Sequence, residues 1–94
     1  MTYNYTSDRL ILSDTKYPII GEIYFPSIAT DNSIAVLEHV FVHPDFDATE
    51  IGAQLITEFV SYATQNQLTI KLLDPWAKTE FAKHPSYQKI LVNE

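Results

Sequence analysis

The sequence predicts an α+β (mixed α/β) domain: a twisted, mostly antiparallel sheet with one long helix packed on it and a short second helix. Three observations carry this reading. Short β-branched and aromatic runs, separated by turn residues, fill the first half of the chain. Residues 48–65 repeat apolar side chains at helical spacing. A further short apolar run and a proline-started polar helix follow, so the order is strand, strand, strand, helix, strand, helix.

Each element has its own signal. Arg9 to Ser13 (RLILS) is a short apolar run closed by the turn cluster Asp14-Thr15-Lys16. Ile19 to Phe25 (IIGEIYF) reads as a strand with one solvated face, because Gly21 and Glu22 interrupt the apolar run, and Pro26 stops it. Residues 29–33 (ATDNS) read as a hairpin loop. Ser33 to Val42 is apolar on both faces apart from Glu38 and His39, the pattern of one central strand covered on both sides. Pro44 ends it. In the helix, Ile51, Leu55, Ile56, Phe59, Val60 and Ala63 recur at spacings of four, one, three, one and three, a single apolar stripe. Leu68 to Leu73 is a short strand. Because a helix joins it to the preceding strand, the two should pair parallel. Pro75 opens a second helix at about 76–83, Pro85 interrupts it, and Tyr87 to Val92 is an apolar tail.

The chain of 94 residues is one domain, residues 1–94, with 46% apolar and 19% charged side chains. No run approaches the ~20 apolar residues that span a bilayer. The start, MTYNYTSDRLIL, lacks the features of a signal peptide, which makes the cytoplasm the expected location. There is no cysteine, which excludes disulfides, thiolate metal sites and a cysteine nucleophile. His39 and His43 would lie roughly 13 Å apart along an extended strand, too far to share one metal ion, so no metal is expected. A formal charge of −6 argues against nucleic-acid and anionic-membrane partners.

This order of elements, with four short motifs, resembles the GNAT superfamily of acetyl-coenzyme A-dependent N-acetyltransferases, and more narrowly its minimal single-domain members of about 90–100 residues. The motifs are Gly21 to Phe25; His39-Val40-Phe41-Val42 with Pro44, similar to the family's H-T-x-V-x-P strand; Ile51-Gly52 with the helix that follows; and Pro75-Trp76 with His84-Pro85-Ser86-Tyr87. The resemblance implies a GNAT-like fold in which the central strand splays from the next one. The pantetheine arm of acetyl-CoA would lie in that gap, the pyrophosphate would rest on N–H groups of the following loop and helix start, and an amine substrate would approach from the other side. On this footing the cofactor-binding candidates are Val42, Ala48, Ile51, Gly52, Ala53, Lys78 and Lys83.

The helix start also has a reading of its own. Such a terminus carries unpaired N–H groups and partial positive charge, which suits an anion. The family's loop reads [RQ]-x-x-G-x-[GA], whereas here it is Asp47-Ala48-Thr49-Glu50-Ile51-Gly52, with acids at the first and fourth positions. Taken alone, Asp47-Ala48-Thr49-Glu50 is a capping box in which the two carboxylates satisfy the helix's own donors. Two readings stand: an acetyltransferase with weakened coenzyme binding, or a relative that kept the fold and lost the coenzyme. The catalytic candidates are His39, matching the family's histidine, and Asp74, which stands where the family commonly carries a cysteine. Asp74 can serve as a base or cap the helix beginning at Pro75. The acceptor amine is not legible.

Overall fold

The computed structural model describes residues 1–28 and 30–92, so Ala29 of the expected hairpin loop lies outside the described residues. Among the described residues, seven strands, two α-helices and a closing 3-10 helix follow in order. They are β1 (Thr2–Tyr5), β2 (Arg9–Ser13), β3 (Gly21–Tyr24), β4 (Ser27–Ile28), β5 (Asp31–Leu37), β6 (His39–Val42), α1 (Ala48–Gln65), β7 (Thr69–Leu72), α2 (Pro75–Ala82) and the 3-10 helix Pro85–Ile90. Among the described residues no helix is long and apolar enough to cross a membrane.

The strands form two sheets. One is antiparallel in the order β1-β2-β3-β6; the other is β4-β5-β7, with β5 and β7 parallel from Ile34↔Thr69 to Leu37↔Leu72. Helix α1 closes the core. Its buried stripe (Ile51, Leu55, Ile56, Phe59, Val60 and Ala63) packs with Leu10, Leu12, Ile20, Ile23 and Phe25. Leu10 and Leu12 alternate with Arg9, Ile11 and Ser13 along β2, so one face of the sheet is under the helix and the other is not.

The expected single strand Ser33–Val42 is two strands in two sheets. At Glu38 the backbone N–H donates to the Tyr24 carbonyl at 3.0 Å, and the chain leaves the β5–β7 ladder to join β3. The alternation changes phase there: Ala35 and Leu37 are buried, Glu38 and His39 are both exposed, and Val40 and Val42 then turn inward. The parallel pairing expected across the helix therefore belongs to β5, and not to β6, the segment that leads into α1. The expected strand Ile19–Phe25 is shorter, at Gly21–Tyr24. The apolar tail is largely 3-10 helix, with Leu91 bridging Ile70. Strand β1 has no strong sequence signal. It is held by pairing from Thr2↔Ser13 to Tyr5↔Leu10, by the stacking of Tyr5 on Tyr62 at 4.1 Å, and by the Tyr5 hydroxyl donating to Glu58.

Candidate active site

The sheet switch at Glu38 leaves one edge of β6 unpaired among the described residues. The His43 N–H donates to the Ile20 carbonyl at 2.8 Å, in phase with the pairs His39↔Tyr24 and Phe41↔Glu22. Antiparallel alternation then turns the backbone polar groups of Val40 and Val42 away from β3. The Val40 N–H demonstrates this, because it donates to Asp74 Oδ2 at 3.2 Å. On the far side of the gap, the N–H groups of Leu73 and Asp74 both donate to the Leu37 carbonyl, at 3.0 and 3.2 Å. The backbone therefore forks at Leu37: β6 runs to one side, and the Asp74-Pro75-Trp76 segment to the other.

Asp74 sits in the fork at 8% exposure. It caps α2 by accepting the Ala77 N–H at 2.8 Å, and its second oxygen ties α2 to β6. The same oxygen lies 3.8 Å from Nδ1 of His39, whose ring is largely solvent-exposed. That separation is too long for a hydrogen bond. The two catalytic candidates, 35 positions apart in sequence, are thus neighbours.

The start of α1 closes one end of the fork. Asp47 accepts the Glu50 N–H at 2.9 Å and its carbonyl takes the Ile51 N–H at 3.0 Å. Only half of the capping box forms. The Glu50 side chain is exposed and makes no bond back to Asp47. From Ile51 onward the N–H groups belong to the helix ladder, so the donors without a partner among the described residues are those of Ala48 and Thr49. The loop before them is held by Tyr17, whose ring meets His43 and Phe46 edge-on at 5.2 and 4.9 Å and whose hydroxyl donates to Asp45 at 3.0 Å. That hydrogen bond, with the Asp45 charge, raises the Tyr17 pKa.

The two glycines are both explained by packing. A Cβ on Gly52 would lie 2.6 Å from the far edge of the Trp76 ring, so this glycine lets α2 pack against α1. A Cβ on Gly21, opposite Val42, would meet Leu55 Cδ1 at 2.6 Å and Ile51 Cγ2 at 3.2 Å. Both positions draw α1 close to the fork.

The remaining candidates scatter. Ile51 is buried in the core. Ala53 faces a shallow cleft of about 510 Å³ on the outer side of α1, lined also by Tyr3, Gln54, Thr57, Glu58 and Ser61. Lys78 borders a separate cleft beside β7, and Lys83 pairs with Glu80 at 3.6 Å. No group of three or more His, Asp or Glu side chains able to hold a metal occurs among the described residues. Sequence reasoning missed Tyr17 and Phe46, which organise the loop, and Tyr24 and Arg9, which continue from His39 across the open sheet face. The only forewarning was the Asp14 turn, whose side chain accepts the N–H groups of Lys16 and Tyr17 and so presents the ring.

With this geometry in view, a family model described as GCN5-related N-acetyl-transferase matches residues 2–90. The chain belongs to that family. An NMR solution structure of a GCN5-like protein from Staphylococcus aureus aligns over 99% of this chain and 89% of its own, at 22% identity and a TM-score of 0.74, and shares the fold. No curated protein matches the chain.

Proposed function

We propose that this GCN5-related domain transfers an acetyl group directly from acetyl-CoA to an amine, with coenzyme binding weakened by its own acidic loop. The free edge of β6, running into the open N–H groups of α1, is the observation that carries the reading. The backbone fits the coenzyme: Val42 turns its polar groups into the fork, and Ala48 and Thr49 offer two donors at the positive end of an 18-residue helix. The side chains oppose it. Asp47 already holds the Glu50 N–H, and Asp47 and Glu50 add two negative charges beside the open donors.

Bound acetyl-CoA supplies an acyl group activated as a thioester. The chain's own part is to orient and to move a proton. The outward N–H of Val42 is a donor for an oxygen placed at the β6 edge. The exposed His39 imidazole accepts the proton that an attacking amine must lose, and the Asp74 carboxylate lies 3.8 Å from its Nδ1. Asp74 acts through position and charge, because both its oxygens already accept backbone N–H groups. Without cysteine there is no enzyme thioester, so transfer is direct.

The second reading, a module that kept the fold and lost the coenzyme, is favoured by the same two carboxylates, since Asp47 and Asp74 each occupy a donor on the path a coenzyme would take. Titrating acetyl-CoA while following backbone amide shifts separates the two. Shifts concentrated in residues 42–53 support transfer. Silence there at millimolar acetyl-CoA supports the module.

A further inference from the structure

The face of the four-stranded sheet opposite α1 carries an ordered row of side chains that the reading above uses only at His39. The register places Arg9 opposite Tyr24 and Tyr24 opposite His39, so the three stand side by side across β2, β3 and β6. Beside them run Ile11, Glu22 and Phe41, also in register, and Phe41 is 36% exposed. The row is fixed in place. The Arg9 guanidinium lies 4.5 Å from the centre of the Tyr24 ring, and its NH1 donates to Glu22 Oε1 at 2.8 Å.

This arrangement leaves a cation with capacity to bind. A guanidinium presents five N–H donors in a planar fork, and Glu22 engages it through one nitrogen. Arg9 is the only arginine in a chain of net charge −6, and its side chain is 43% exposed. With strands about 4.8 Å apart, the Cα atoms of Arg9 and His39 are roughly 10 Å from one another. Arg9 folds over the intervening Tyr24, so the three form a patch that begins at the guanidinium over the Tyr24 ring and ends at His39 on the neighbouring strand. That patch has a cation at one end, a proton acceptor at the other, and the apolar surfaces of Tyr24 and Phe41 between and beside them.

We propose that this face binds the acceptor, and that the acceptor is an amino acid with an apolar side chain: its carboxylate on Arg9, its amine at His39, its side chain against Tyr24 and Phe41. The inference rests on the acetyl-transfer reading for the meaning of the site, while the binding it requires does not depend on the coenzyme. It explains why a guanidinium is positioned on an otherwise acidic molecule, in line with the histidine that faces the fork.

The test compares L-phenylalanine with 2-phenylethylamine, the same molecule lacking the carboxylate, by amide-shift titration of the full chain. L-Phenylalanine should perturb Arg9, Tyr24, His39 and Phe41 and bind at least about tenfold more tightly, the lower range for a charged hydrogen bond already shared with Glu22. Arg9→Gln should abolish that preference, leaving 2-phenylethylamine unchanged, and Arg9→Lys should restore part of it. Equal affinities in the unaltered chain, a preference that survives Arg9→Gln, or no binding of either ligand at millimolar concentration would each overturn the proposal. The acetyl-CoA titration at residues 42–53 is read separately. An amino acid that binds while the coenzyme does not would sink the transfer reading and leave this site standing.

Discussion

Replacing Gly52 by alanine tests why α1 carries a glycine in its second turn. The substituted Cβ would stand 2.6, 3.0 and 3.1 Å from three carbons of the Trp76 ring, where ordinary contact begins near 3.4 Å. Forcing one methyl into a packed contact costs about 1–3 kcal/mol. Exchanging a helix-interior glycine for alanine returns about 1 kcal/mol. Trp76 is half-buried, which puts the cost near the middle of that range, about 2 kcal/mol. The net effect is a loss of about 1 kcal/mol, or roughly 4–8 °C in Tm for a domain of this size. Thermal unfolding followed by far-ultraviolet circular dichroism reads this directly. The same substitution in a Trp76→Leu background should be neutral or stabilising, so the double-mutant cycle should show a coupling of about 1–2 kcal/mol. If Gly52→Ala stabilises the unaltered chain, or acts equally in both backgrounds, the ring is not what excludes a side chain at this position.

Further expectations concern the carboxylates and the tyrosine beneath β1. Asp74→Ala removes the acceptor for both Ala77 and Val40, so it should cost about 2–4 kcal/mol in urea unfolding and broaden the amides of β6 and the first turn of α2. Asp47→Ala should cost about 0.5–2 kcal/mol by the same assay, whereas Asp47→Asn, which still caps, should cost little. Burial, then the hydrogen bond to Glu58, raises the Tyr5 pKa well above the ordinary 10.0. The folded state therefore favours the neutral phenol, and the stability this contributes is complete below pH 10 and is lost as pH climbs from there toward the folded value. Tm measured from pH 8 to 11 should fall less steeply in Tyr5→Phe, and identical slopes would refute the linkage.

Local signals in this chain were legible and long-range ones were not. The apolar stripe from Ile51 to Ala63 and the cap at Asp47 gave α1 its bounds, because both act within a few residues. The run RLILS and the Asp74-Pro75 helix start were readable for the same reason. The division of residues 33–42 was missed because apolar residues dominate both halves. The signal lay in the Glu38-His39 doublet, two successive polar residues that break a period of two. Strand β1, TYNY, is defined by partners as distant as Glu58 and Tyr62. In the site, the two catalytic candidates were visible as residue types, but their approach to 3.8 Å depends on the fork at Leu37. The family's glycine at position 52 could be seen, but not the Trp76 ring that occupies the space above it.

The measurement that bears most directly on the proposed function is the affinity of acetyl-CoA for the unaltered chain and for the double variant Asp47→Asn with Glu50→Gln, by calorimetry at low and high salt. Neutralising two exposed carboxylates about 5 Å from a bound phosphate should tighten binding on the order of tenfold at low salt, with the advantage shrinking as salt rises. The same affinity in both proteins, or an advantage indifferent to salt, would contradict a coenzyme site at the start of α1 held in check by its own acids.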